Sequence, residues 1–400
     1  MTVSLCIRMV KQTKLLNYKP KEKNMKKKVL LVTLLVVAIV ASCFAFTACN
    51  KDGDKDKTYE IAVVTDVGQL MDGGFNQGTY EGAKAYAEAH GKTYKYYQPA
   101  NGGEATDNDR IAAMRQAIKN GAKIIVAPGY LQANAMATVA AESPEVKFIF
   151  IDGWALSDAN GNILKNVTAV VYKEEESGFM AGYAAVKEGY TKLGGTFGGD
   201  GSNPACNRFA SGYVQGIRAA ATELDKNVSV TISFKYGGSF QASPALQTQI
   251  AGWYNEGTEV VFACGGSMFQ SVKSAAEATK DGKIIGVDVD QAHLSARVIT
   301  SAVKGLKVSV EKILGEYYNN EWDTKLAGKA SNLGAADDAT GLPTATWRLK
   351  NFTVEEYTAL FTKIKEGKIT VKSDILSDCN VEEFWQGLVS GSKVTVKLDK

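Results

Sequence analysis

From Tyr59 onward, short apolar runs alternate with stretches of helical periodicity. The runs are YEIAVVT, TYKYYQP, AKIIVAP, KFIFID, VTAVVY, KLGGTFGG, VSVTISFKY, TEVVFACGG and KIIGVDVD. Helical patterns fill the gaps at 77–90, 109–120, 132–143, 174–188, 209–224, 244–255 and 268–279. β-Branched runs without polar alternation are buried on both faces, and helices between them make parallel βαβ units covered on both sides. The pattern therefore predicts an α/β protein.

So many units exceed one sheet of ordinary width, and 400 residues exceed one comfortable core. The rhythm breaks between Val167 and Glu176, where two strands follow each other with only a loop between. This predicts a first crossing between two lobes, with a second after GVDVDQ and a third around 320–322. The expected division is 59–172 plus 289–320 for lobe 1, and 173–288 plus 321–400 for lobe 2.

The N-terminal stretch reads differently. Arg8, Lys11, Lys14, Lys19, Lys21, Lys23, Lys26, Lys27 and Lys28 precede an apolar run from Val29 to Phe46 and then Thr47-Ala48-Cys49. A basic segment, an apolar segment and small residues before a cysteine describe a secretory signal. Met25 is the expected start, with 1–24 an upstream extension, 25–48 the signal and 49–58 a polar tether. The formal charge of +3 arises largely there; without residues 1–48 the chain keeps 37 basic and 42 acidic residues, a net of −5. Nucleic-acid binding is not expected.

Ligands of open parallel sheets bind beyond the carboxyl ends of the strands. Those ends carry Asp66, Asp72, Phe75 and Asn76 after the first run, PGYLQ after the third and Asp152 after the fourth. Later come GGDGSNP, Phe240 in YGGSF, Gly265 and Gly266 in CGGSMF, and Asp288 and Asp290 in GVDVDQ. Only His90 and His293 supply imidazoles. There is no G-x-S-x-G turn, no phosphate loop and no H-E-x-x-H helix. Cys206, Cys264 and Cys379 form no disulfide or metal pattern, and Cys264 reads as a small core residue. Neither an enzyme nor a cofactor or metal site is expected.

These residues bear a family resemblance. The signal ending Phe46-Thr47-Ala48-Cys49 resembles a bacterial lipobox, which makes Cys49 the expected lipid-bearing residue. Behind it, the segment from Asp66 through Asp72 to Phe75-Asn76-Gln77 resembles the basic membrane protein (BMP) family of ABC-transporter substrate-binding lipoproteins, which includes the purine nucleoside receptor group. ESGFMAGYAA (176–185), RFASGYVQGI (208–217), YGGSF (236–240), GVDVDQ (286–291) and TSAVK (300–304) follow in that family's order. Phe46 in place of leucine, Gln241 in place of aspartate and DGGFNQ are departures from its pattern.

The resemblance implies a type I periplasmic-binding-protein fold, two Rossmann-like lobes with parallel sheets joined by hinge crossovers. It also implies an extracytoplasmic, membrane-anchored receptor that takes a nucleoside, of the purine class, and delivers it to an ABC permease. The ligand-binding residues it implies are Asp66, Phe75, Asn76, Asp152, Phe240, Gly265, Asp288 and Lys304. Two phenyl rings can sandwich a base, and carboxylates can accept hydrogen bonds from ribose hydroxyls. Read alone, Asp66 and Asn76 also fit helix caps and Phe75 a core position, while Asp72 fits a turn or cap. Two other functions stay open: a receptor for a sugar or other ribosyl solute, and a nucleoside hydrolase holding a metal on Asp66 and Asp152.

Overall fold

Strand β1 (Ile61–Val64) buries both faces: Ala62 and Val64 join one core, while Ile61 and Val63 join the core across the sheet. That double burial is why its pattern is continuous rather than alternating. The computed structural model describes residues 58–67, 69–235, 240–374 and 378–399. The upstream extension, the signal, Cys49 and the tether up to Lys57 lie outside the described residues.

After β1 come α1 (Phe75–Ala89), β2 (Tyr94–Tyr97), α2 (Asp107–Lys119), β3 (Ile124–Pro128), α3 (Ala133–Glu142), β4 (Lys147–Ile151) and β5 (Val167–Tyr172). The chain then enters the other lobe with α4 (Glu174–Glu188), β6 (Lys192–Phe197), α5 (Pro204–Glu223) and β7 (Val228–Ser233). There follow α6 (Pro244–Asn255), β8 (Val260–Cys264), α7 (Met268–Glu277), β9 (Lys283–Asp288) and β10 (Val298–Lys304). It returns for α8 (Leu306–Tyr318) and β11 (Ala330–Leu333). It ends in the second lobe with β12 (Thr340–Gly341), α9 (Val354–Lys365), α10 (Glu382–Val389) and β13 (Val394–Leu398).

The first sheet has the order β11-β5-β4-β3-β1-β2, and the second β12-β10-β9-β8-β6-β7-β13. Every pairing is parallel except the two-residue contact of β12 with β10.

The first crossing falls between Tyr172 and Glu174. The other two differ from expectation. β10 pairs with β9, so 298–304 stays in the second lobe and the return comes after Lys304. β11 pairs with β5, so the last crossing follows Leu333 rather than 320–322. The reason is local: β10 follows β9 without a full intervening helix, and β11 is a mostly exposed edge strand with a polar sequence.

Several helix starts carry side-chain caps. Thr106 with Asp109, and Thr353 with Glu356, form capping boxes at α2 and α9. Asn203, ahead of Pro204, accepts from the Cys206 N–H at α5. α4 and α5 pack backbone against backbone. A Cβ on Gly178 or Gly182 would overlap the carbonyls of Phe209 and Tyr213, and one on Gly212 or Gly216 those of Glu175 and Phe179. ESGFMAGYAA and RFASGYVQGI are thus two halves of one helix–helix contact.

Candidate functional site

The carboxyl ends of both sheets face a cleft with about 620 Å³ of unfilled space, its open mouth included. Asp66, Phe75, Asn76, Asp152, Phe240, Gly265, Asp288 and Lys304 all line it. Residues from 66 to 304 are gathered because strands β1, β4, β8, β9 and β10 end at one level.

In the first lobe the side chains are set by the turn entering α1. Asp72 is buried and takes the N–H groups of Gly74, Asn76 and Gln77 at 2.8, 3.0 and 3.2 Å. It is the cap of α1, and burial raises its pKa against the pull of those donors. The Asn76 amide donates to Asp66 at 3.1 Å and to Asp72 at 3.2 Å, so both of its hydrogens are committed. Its Oδ1 faces the Asp66 N–H at 3.5 Å. Asn76 therefore buttresses Asp66, and only its oxygen is left to meet a ligand. Gly129, with φ +98°, lies against the Asp66 carboxylate so closely that a Cβ would overlap Oδ2.

Phe75 packs on the first lobe's core and Phe240 on the second's, each half-buried, so the cleft has a phenyl ring from either side. Phe240 has φ +56°, Asp152 +57° and Asp288 +66°. A left-handed backbone at a residue other than glycine costs about 1–2 kcal/mol, and such residues cluster at functional sites. Ser267 Oγ donates to the Phe240 carbonyl at 3.1 Å, which ties that ring to the turn after β8.

The floor is a buried charge cluster. The Lys304 side chain is 2% exposed, and its Nζ lies 2.7 Å from Asp152 Oδ2, 3.4 Å from Glu174 Oε1 and 3.6 Å from Asp288 Oδ1. Nζ also stands 4.7 Å from the Phe75 ring centre. Arg208 Nε completes the chain by donating to Glu174 Oε2 at 2.5 Å. Burial pushes Asp288 up to about 7 although Lys304 opposes the shift. Burial likewise raises Asp152 against the same lysine. Burial alone would lower Lys304, yet Asp152, Asp288 and Glu174 hold it above its usual value. Asp152 Oδ1 is buried and has no hydrogen-bond partner among the described residues. An unmatched carboxylate oxygen is costly, which makes it a point for a donor from a ligand.

Further residues join the site, among them Tyr130 of the PGYLQ segment and Asn203 of GGDGSNP. Tyr130 lines the cleft from the first lobe, and Asn203, Cys206 and Phe209 from the start of α5. Gln291 Nε2 donates across the lobes to the Gly73 carbonyl at 2.9 Å. Gln241 lies over Gly103 of the opposite lobe with no room for a Cβ. The lobes thus touch around the cleft. Among the described residues, no group of three or more His, Cys, Asp or Glu side chains is placed to hold a metal.

Known proteins share this fold. A chain from Aeropyrum pernix K1, an ABC transporter system solute-binding protein, superimposes with a TM-score of 0.68 at 21% identity, covering 84% of this chain and 99% of that one. A corresponding protein from Conexibacter woesei gives 0.62 at 21% identity, over 80% of this chain and 100% of that one. In sequence, an ABC transporter nucleoside-binding protein, BmpA, of Lactococcus lactis subsp. cremoris is 28% identical over 87% of this chain and its own full length. Basic membrane protein B of Borreliella burgdorferi is 31% identical over 66% of this chain and 72% of its own. Residues 59–375 match the family described as Bmp, ABC transporter substrate-binding protein PnrA-like. With that match spanning both lobes and the cleft between them, the chain belongs to the Bmp family of ABC transporter substrate-binding proteins.

Proposed function

We propose that this protein is a nucleoside receptor, anchored by lipid at Cys49 on the outer face of the membrane, that hands its cargo to an ABC permease. The observation that carries the reading is the pairing of Phe75 and Phe240, from opposite lobes, over a floor of Asp152, Asp288 and Lys304. A base has two flat faces for the rings, each worth about 1–3 kcal/mol by analogy with base stacking. A ribose has vicinal hydroxyls for the carboxylates, and Asp152 Oδ1 awaits such a donor. The name of the Lactococcus relative, a nucleoside-binding protein, supports the same class.

A purine suits the first-lobe end of the cleft. Asp66, held by Asn76, is an acceptor for a ring N–H or an exocyclic amine. Contacts from both lobes exist together only in a closed cleft, so cargo shifts the hinge toward closure. The closed form is then the one a permease distinguishes.

Titration calorimetry of the purified protein with inosine, guanosine, adenosine, uridine and ribose tests the reading, with product analysis of each mixture. Purine nucleosides should bind without turnover, at micromolar affinity or about 8 kcal/mol. The double variant Phe75→Ala/Phe240→Ala should lose that binding. Binding of ribose alone supports the sugar receptor instead, and release of free base supports the hydrolase. Retention of full affinity by the double variant removes the proposal.

A further inference from the structure

Two thiols stand in the wall of the cleft with no part in the contacts proposed above. Cys206, in the first turn of α5, and Cys264, the last residue of β8, both line the cavity. Their sulfurs are 4.0 Å apart, both residues are buried and both thiols are free. Each residue is anchored on one side: the Cys206 N–H donates to Asn203 Oδ1 at 2.9 Å, and Cys264 is paired with Phe197 at the end of the sheet. A disulfide needs sulfurs about 2.05 Å apart, so about 2 Å of approach, shared between the two side chains and the turn that follows Cys264, closes the bond.

The position of this pair gives it leverage. Cys264 leads directly into Gly265, Gly266 and Ser267, and that turn seats Phe240 through the Ser267 hydroxyl. A Cβ on Gly266 would come within 3.2 Å of the Phe240 carbonyl, so the turn and the aromatic residue are in close contact. Drawing Cys264 toward α5 therefore moves the support of one of the two rings. We infer that Cys206 and Cys264 form a thiol–disulfide switch in the cleft wall, whose oxidation displaces the seat of Phe240 and weakens cargo binding. The second half of this inference rests on the nucleoside reading; the first half does not.

The oxidant is a small-molecule disulfide entering through the open cleft. The thiolate of Cys206 attacks one of its sulfurs, the external S–S bond breaks, and the departing thiolate takes up the proton Cys206 released. Cys264, as thiolate, then attacks the Cys206 sulfur of the mixed disulfide and expels a second small thiol, which carries the proton Cys264 gave up. Two protein thiols become one disulfide, and one external disulfide becomes two thiols. Burial pushes the Cys264 thiol well above its usual range, which disfavours it as the first attacker.

The test incubates the purified protein with oxidised glutathione, then reads intact mass, peptide maps and inosine and guanosine affinity before and after reduction. The expected result is a mass about 2 Da lower, a cross-linked peptide pair holding Cys206 and Cys264, and roughly tenfold weaker binding restored by reductant. Cys379, buried in the second lobe and not lining the cleft, is the control. Cys379→Ser should respond to oxidant like the parent, whereas Cys206→Ser should show one affinity with and without oxidant. A glutathione adduct without the Cys206–Cys264 peptide overturns the switch, as does a complete cross-link with unaltered affinity. Failure of the nucleoside reading appears separately, as no binding by the reduced protein, while the cross-link is read by mass alone.

Discussion

Lys304 Nζ lies 2.7 Å from Asp152 Oδ2, and this contact ties the end of β10 in one lobe to the end of β4 in the other. The same nitrogen faces Glu174 at the first crossing and Asp288 at the end of β9. One cation thus neutralises acids from both lobes at the hinge.

Removing that cation should be severe. Lys304→Met leaves three buried carboxylates facing one another, and breaking a buried pair typically costs about 3–5 kcal/mol. Urea unfolding should show a loss of that order. Asp152→Asn keeps the shape and leaves Lys304 two acids, so its stability loss should be about 1–2 kcal/mol. Its nucleoside affinity should still fall roughly tenfold or more, because an amide is the weaker acceptor for a ribose hydroxyl.

The pH dependence of stability has a definite sign. Burial pushes both Asp288 and Glu175 up to about 7 from ordinary values of 3.8 and 4.5. A folded state that holds protons more tightly than the unfolded chain is favoured at low pH, and the advantage is lost as pH rises through about 7. The depressed acids Glu60, Asp109, Glu142, Asp158 and Glu223 act below their ordinary values, outside this window. The ligand-free protein should therefore lose stability between pH 5 and 8. Glu175 Oε2 has no hydrogen-bond partner among the described residues. Glu175→Gln should remove its share, so the stability gap between variant and parent should open by about 1–2 kcal/mol across that range.

Gly129→Ala tests the seat of Asp66. The new methyl would occupy the carboxylate's position on a backbone with φ +98°. Stability should fall by about 1–2 kcal/mol from the left-handed conformation. Affinity should drop roughly tenfold or more as Asp66 shifts from its place. Calorimetry at a temperature where the variant is folded separates the two effects.

Charge should reject phosphorylated cargo. Among the described residues, Asp66, Asp72, Asp152 and Asp288 line the cleft against one lysine, Lys304. A nucleoside 5′-monophosphate adds close to two negative charges, and like-charge juxtaposition costs several kcal/mol. Competition binding should place the monophosphate about a hundredfold or more below its parent nucleoside.

Much of this was legible from particular residues. The apolar runs marked the strands, and the strand ends together with the family resemblance named Asp66, Phe75, Asn76, Asp152, Phe240, Gly265, Asp288 and Lys304, all of which meet in one cleft. What the residues do for one another was not legible. Asn76 looks free to read a base, yet Asp66 and Asp72 take its hydrogens. Arg208 and Glu174 are 34 positions apart, so nothing local announces their pairing. Lobe boundaries failed where strands departed from the apolar pattern: β11 is polar because it is an exposed edge, and β10 follows β9 without a full helix between them.

The glycine-lined contact of α4 with α5 has a mechanical consequence. α4 begins two residues after β5 ends, and its partner helix carries Arg208, Phe209 and Cys206 toward the cleft. With backbone meeting backbone at glycines 178, 182, 212 and 216, twist applied at the first crossover should reach the cleft wall with little give. The pair works as a stiff axle, and its amides should be among the last to exchange with heavy water whether the jaws stand apart or together.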